Sequence, residues 1–133
     1  MTKPTRILIA DDDPAVLFVV QAVLARLEDG YDIMTARNGS EALRLCEDEP
    51  FALVITDVKM PGVDGVTLVK AIRSNKTPTA VIWMTAYGCD QLRAAGERLD
   101  VYRCLDKPLR IDVIRQAALD AVHDLDNKHR NQA

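Results

Sequence analysis

Asp57 closes an apolar run, Phe51-Ala52-Leu53-Val54-Ile55-Thr56, and stands just before the turn Met60-Pro61-Gly62. Three further apolar runs end in polar residues. Residues 6–10 lead into Asp11-Asp12-Asp13, Val81-Ile82-Trp83-Met84 leads into Thr85, and residues 101–105 lead into Asp106-Lys107-Pro108. If these runs are parallel strands of one sheet, their C-terminal ends bring together carboxylates, a hydroxyl and an ammonium. Carboxylate oxygens in such number suit a hard divalent cation. A cation, an ammonium and a hydroxyl together suit a phosphoryl group. An isolated aspartate after a strand is ordinarily a cap or a turn former. Asp13, before Pro14, and Asp64, before Gly65, are read in that way. Asp11, Asp12 and Asp57 are read as a joint site.

The elements that must position these groups alternate along the chain. Residues 5–10 read as a buried strand, followed by a helix from Asp13-Pro14 with Val16, Val19, Val20, Val23, Leu24 and Leu27 in one stripe, closed by Gly30. Residues 31–36 form a second strand, and Asn38-Gly39-Ser40 opens a helix carrying Ala42, Leu43 and Cys46 inward. Residues 51–56 are the third strand, followed by a helix from Asp64 to about Arg73. Residues 80–84 are the fourth strand, followed by a weaker helix from about Cys89 to Arg98. Residues 101–105 are the fifth strand. A last helix from about Arg110 to Leu125 carries Val113, Ile114, Ala117, Ala118, Ala121 and Val122. Five such repeats predict an α/β fold, a doubly wound five-stranded parallel sheet with five helices on its two faces. Its ligand crevice lies beyond the carboxyl ends of the strands. The expected organisation is one domain over residues 1–125 and a polar, frayed tail over 126–133.

Composition narrows the function classes. The 133 residues are 48% hydrophobic and carry a net charge of −3, with acids and bases mixed. No basic face marks a nucleic-acid interface. No apolar stretch is long enough for a bilayer, and the N-terminus lacks the apolar segment of a signal peptide, so the expectation is a soluble cytoplasmic protein with no membrane partner. His123 and His129 lie far from every other candidate ligand, which argues against a histidine metal site or a Ser-His-Asp triad. Cys46, Cys89 and Cys104 are odd in number and widely spaced, so each is read as a small filler rather than part of a disulfide framework.

The four strand-end motifs, Asp11-Asp12-Asp13, Thr56-Asp57-Val58-Lys59-Met60-Pro61-Gly62-Val63-Asp64-Gly65, Met84-Thr85-Ala86 and Asp106-Lys107-Pro108, resemble the receiver domain of bacterial two-component response regulators, in order and over the chain to about residue 125. The resemblance implies the flavodoxin-like strand order 2-1-3-4-5. It implies that Asp57 accepts a phosphoryl group from a histidine kinase or a phosphotransfer protein. Mg2+ would be held by Asp12 and Asp57 directly, by Asp11 partly through water, and by the backbone carbonyl of Lys59. Lys107 and Thr85 would bind the phosphoryl group, and the Lys107–Pro108 bond would be cis. The implied role is a phosphorylation-activated switch that assists its own phosphorylation and is not a metabolic enzyme. Its surface at strands four and five would act on a downstream effector, with the chain a monomer or a phosphorylation-dependent dimer. Direct contact with nucleic acid is not expected of this region.

Several positions depart from that pattern or add to it. Cys104 stands where the family usually carries an aromatic residue, and Tyr102, two residues earlier, is expected on the same strand face. Either Tyr102 or Tyr87 partly substitutes, or the switch surface responds weakly, or Cys104 simply packs and the switch runs through backbone motion. Lys59 and Tyr87 are expected to flank the phosphoryl group and to tune its lifetime. Phe18 faces away from the first helix's apolar stripe, as a partner-docking residue would. Two rival readings come from other classes. A Mg-dependent aspartate-nucleophile phosphohydrolase would want a general acid at position 59, where Lys59 stands. A flavodoxin-like binding module would want a phosphate-cradling loop after the first strand, where three aspartates stand.

Overall fold

The computed structural model describes residues 4–27, 31–75 and 77–131. Five strands, β1 (Thr5–Ala10), β2 (Tyr31–Ala36), β3 (Leu53–Asp57), β4 (Ala80–Thr85) and β5 (Arg103–Asp106), form one parallel sheet in the order β2-β1-β3-β4-β5. Helices α1 (Pro14–Ala25), α2 (Gly39–Asp48), α3 (Gly65–Ser74) and α4 (Arg93–Arg98) connect them in turn, and α5 (Ile111–Asn131) follows β5. The doubly wound sheet and its strand order are as the sequence and the resemblance imply.

Alternation along the strands divides the core. Ile7 and Ile9 of β1, Ile55 of β3, and Ile82 and Met84 of β4 pack on one face against Leu17, Val20 and Leu24 of α1 and Ile114, Ala117 and Ala121 of α5. Leu8 and Val54 face the other way, against Ala42 of α2 and Leu68 and Ile72 of α3. On that second face Val81 and Trp83 of β4 pack with Val69 of α3 and with Leu92, Ala95 and Leu99 around α4. Burial on both faces explains why β3 and β4 are apolar without alternation until the polar residues at their carboxyl ends.

The helix starts follow their caps. The Asp13 carboxylate accepts the Ala15 N–H at 2.9 Å, Asn38 Oδ1 accepts the Glu41 N–H at 2.8 Å, and Asp64 accepts the Thr67 N–H at 2.8 Å. Each cap satisfies an N–H that the first turn leaves open.

Several expected details differ. Val19 and Val113 were expected inward but are 41% and 38% exposed; the buried arcs run through Leu17, Val20 and Leu24, and through Ile114, Ala117 and Ala121. A 3.6-residue period leaves the flanking valines on the rim of each arc. Gly30, expected to close α1, lies outside the described residues; α1 ends at Ala25, where Arg26 and Leu27 donate back to Val23 and Leu24. The fifth strand begins at Arg103, because the Val101 N–H bonds the Gly96 carbonyl and closes α4 instead. The fourth helical segment is a 3-10 turn, Cys89–Leu92, followed by only six residues of α-helix. Helix α5 continues through residues 126–131, where fraying was expected.

Candidate functional site

Ladder bonds at the carboxyl ends of the strands set the positions of the polar groups. Asp57 pairs with Met84, and the Val58 N–H donates to the Met84 carbonyl at 3.0 Å. Thr85 pairs with Asp106, and the Lys107 N–H donates to the Thr85 carbonyl at 2.7 Å. The Asp11 N–H donates to the Ala36 carbonyl at 3.1 Å. The start of α3 presses against the same edge: a Cβ on Gly65 would lie 2.6 Å from the Asp57 carbonyl oxygen, so glycine alone permits this approach. The Lys107–Pro108 peptide bond is cis.

The side chains converge as the spacing implies. Asp11 is fully buried; its Oδ1 accepts the Asp13 N–H at 2.9 Å and its Oδ2 accepts Lys107 Nζ at 2.8 Å. The same ammonium lies 3.4 Å from Asp57 Oδ2. Asp12 is exposed at the rim. One ligand atom from each of Asp11, Asp12 and Asp57 lies within 4.8 Å of the others, a hard-oxygen donor set that fits a divalent cation such as Mg2+. The direct Asp11–Lys107 ion pair was not foreseen. Nothing in the sequence distinguishes it from a lysine aimed at Asp57 alone, because only the folded strand spacing decides which carboxylate the ammonium reaches first.

Two of the three carboxylates, Asp11 and Asp57, therefore share one ammonium. Burial, and then the charge of Asp11, push the Asp57 carboxyl above its ordinary value; Lys107 and the Lys59 backbone N–H offset this only in part. For Lys107, burial works against the charged form, but the hydrogen bond and charge of Asp11, with Asp57 behind them, hold the ammonium above the usual lysine value.

Thr85 is buried, and its Oγ1 accepts the Tyr87 N–H at 3.0 Å, which leaves the hydroxyl proton to be donated elsewhere. Lys59 Nζ stands 5.6 Å from the centroid of the Tyr87 ring, and both side chains are exposed at the mouth of the pocket. Phe18 is 74% exposed on α1.

The β5 surface corrects two expectations. Cys89 and Cys104 are not fillers; they are joined by a disulfide, with Cα atoms 5.7 Å apart. Cys46 remains a free thiol, and burial, partly offset by Arg6, pushes its pKa up to about 11. The β4–α4–β5 crossover brings two cysteines 15 positions apart to one edge, which a count of cysteines in the sequence does not reveal. Tyr102 does not share a face with Cys104. It precedes the strand, packs against the α1 and α5 cluster, and donates its hydroxyl to Asp124 of α5, whereas Cys104 packs with Trp83 on the opposite face. Period-two reasoning fails at Tyr102 because the chain bends there, before β5 begins at Arg103.

Comparison with known proteins agrees with this geometry. The family model described as "Response regulator receiver domain" matches residues 7–119. The transcriptional regulatory protein GlrR of Escherichia coli K12 is 35% identical over 120 residues, covering 90% of this chain and 27% of that protein. The sensor protein EvgS of Escherichia coli O157:H7 is 36% identical over 109 residues, covering 82% of this chain and 9% of that protein. The chain thus spans about a quarter or less of the length of these relatives. Among solved structures, the signal receiver domain of an HD domain-containing protein from Pseudomonas fluorescens Pf-5 superposes with a TM-score of 0.86 at 27% identity, covering 98% of this chain and 95% of that one. Among the described residues, no helix is long and apolar enough to cross a membrane.

Proposed function

The chain belongs to the response regulator receiver family, and from that premise we propose that it is a phosphorylation-activated switch whose phosphoacceptor is Asp57. One observation carries the reading: the ammonium of Lys107 is shared between Asp11 and Asp57 at the rim of a three-carboxylate pocket, with the Thr85 hydroxyl on the adjacent strand.

Asp11, Asp12, Asp57 and the backbone carbonyl of Lys59 are the groups proposed to hold Mg2+. When bound, the ion supplies positive charge that offsets both the carboxylate repulsion and the charge on a phosphoryl group. The Asp57 carboxylate attacks phosphorus and forms an acyl phosphate, while the bond to the donor breaks and the leaving group takes its electron pair. Lys107 keeps the acceptor charged and oriented, then follows the new negative charge. Thr85 donates its hydroxyl to a phosphoryl oxygen. This contact favours the conformation in which loop 85–88 closes on the pocket, so phosphorylation acts as a population shift. A phosphohistidine on a histidine kinase or a phosphotransfer protein is the proposed donor, docking beside Phe18. The chemistry is regulatory rather than metabolic, and the effector downstream is a partner or a further domain.

Incubation with Mg2+ and acetyl phosphate, followed by intact mass and site mapping, tests the reading. We expect one phosphate, on Asp57, that disappears in Asp57→Asn and when a chelator is added. A phosphate mapped elsewhere overturns it. In the same experiment, Phe18→Glu takes phosphate from acetyl phosphate at the normal rate but slowly from a phosphorylated histidine kinase. Equal rates from both donors would remove Phe18 from the docking surface.

A further inference from the structure

We propose that Cys89 and Cys104 form a reversible redox site that governs how freely the segment after Thr85 moves, and through it the phosphoryl chemistry at Asp57. The second part rests on the phosphoacceptor reading above.

The argument begins with the segment the disulfide closes. Residues 89–98 comprise a 3-10 turn and a six-residue helix with no fully buried side chain and no side-chain cap at either start. A helix of that length does not hold itself together in water. Its order depends on half-buried Leu92, Ala95 and Leu99 and on ties at its two ends. At the far end, Arg73 of α3 donates to the carbonyls of Leu99 and Asp100 at 2.9 and 3.0 Å. At the near end, the tie is the disulfide from Cys89 to β5, reinforced by the Cys89 N–H donating to Asp106 Oδ1 at 2.9 Å. Cutting the disulfide leaves that hydrogen bond and the half-buried packing of Leu92 at the near end.

The near end is where the site begins. Thr85 and Cys89 are four residues apart, and between them Gly88 has φ +94 with open space around it, a point where the chain can swing. On the other side of the bridge, Cys104 is three residues before Lys107. The cross-link therefore joins the two segments that carry the hydroxyl and the ammonium of the Asp57 pocket. For the Thr85 hydroxyl to reach a phosphoryl oxygen on Asp57, loop 85–88, which the Tyr87 N–H ties to Thr85 Oγ1, must move as a unit, and the oxidised pair restrains its exit.

The bridge lies beside a groove wide enough for small reagents. Cys89 and Cys104 are half-buried and line an open groove of about 250 Å³ with Asp90, Arg93 and Glu97. The exchange balances with a low-molecular-weight thiol as co-reactant. Its thiolate attacks one sulfur, the protein S–S bond breaks, and the other cysteine leaves as a thiolate. A second small thiolate attacks the mixed disulfide, releasing the small disulfide and the second cysteine thiolate. Two thiols are oxidised, the protein pair gains two electrons, and the two protons pass to the cysteines. Trp83, the single tryptophan, pairs in register with Cys104 and borders the same groove, so its emission reports the state of the bridge.

The test uses the full chain equilibrated with glutathione disulfide or with dithiothreitol. Alkylation and intact mass should count one free thiol, Cys46, in the first case and three in the second, with a change in Trp83 emission. Amide exchange over residues 86–100 should be about tenfold faster in the reduced form. With Mg2+ and acetyl phosphate, the reduced form should take up phosphate roughly threefold faster, as loop-gated steps do. Cys89→Ser and Cys104→Ser should each behave as the reduced form under both conditions, and Cys46→Ser should keep the response. Three free thiols after glutathione disulfide, or equal exchange in the two forms, would overturn the redox site. Equal phosphate uptake would overturn its coupling to Asp57. A chain that takes phosphate on Asp57 in neither form overturns the phosphoacceptor reading and the coupling with it, while thiol count and exchange still decide the redox pair.

Discussion

The two ends of the same sheet are built on opposite principles. At the amino end, polar groups satisfy one another. Arg73 donates to three backbone carbonyls, those of Thr79, Leu99 and Asp100, at 2.6, 2.9 and 3.0 Å. Thr79 Oγ1 donates to the Phe51 carbonyl at 2.8 Å, and Arg6 stacks on the Phe51 ring while its guanidinium meets the Pro50 carbonyl and Glu49. Asp100, in the left-handed region at φ 56, is held there with its carbonyl on Arg73. At the carboxyl end, three carboxylates cluster while one ammonium reaches two of them, and burial and then the charge of Asp11 disfavour the charged form of Asp57. The difference separates stability from function: one end spends its polar groups on holding loops, and the other keeps an imbalance that an added cation or phosphoryl group can relieve.

Substitutions at the two ends should therefore have opposite signs. The largest effect on the fold is expected from Arg73→Ala, which strips the donor from three carbonyls. It should cost roughly 2–3 kcal/mol, a fall in Tm on the order of 10 °C. A melt unchanged within a degree would break the comparison at its stable end.

Asp57→Asn should do the reverse. The carboxyl's pKa is raised in the fold, so the stability linked to it is present below the ordinary carboxylate range and is lost as pH rises through the raised value. At neutral pH in chelator, the variant should melt a few degrees higher than the parent. Asp12→Asn should gain less, because Asp12 is exposed at the rim. Saturating Mg2+ should shrink both gains. Melts in chelator with both variants less stable would refute the strained-pocket account.

The smallest effect sharpens the picture at the mouth. Removing Lys59 or Tyr87, which pair across the opening, should admit water more freely and shorten the acyl-phosphate lifetime a few-fold, a barrier change under about 1 kcal/mol. Following phosphate loss from Asp57 in Lys59→Ala and Tyr87→Ala checks it; unchanged decay in both would confine the control of lifetime to the buried groups.

Much of the carboxyl end was legible in the chain, because strand length and alternation are local and a strand's last residue is fixed once the strand is. Asp57 and Thr85 fall at strand ends, and Asp11 and Lys107 each directly after one, by that logic alone. The amino end was not legible. Arg73 reads as an ordinary basic residue in the last turn of α3, and only the packing of α3 against the α4–β5 turn turns it into a clamp. Tyr102 departs from its expected face for a related reason: Val101 is taken by the end of α4, so the strand starts later than its apolar run.

By itself the sequence determined the elements and the chemical character of the residues at their ends, since periodicity and capping act over a few residues. Tertiary structure alone decided which groups touch: that Lys107 bonds Asp11 as well as approaching Asp57, that Tyr102 turns toward Asp124, and that Cys89 meets Cys104. Those contacts depend on distances between strands and loops separated by 15 to 96 residues, and no local propensity encodes such distances.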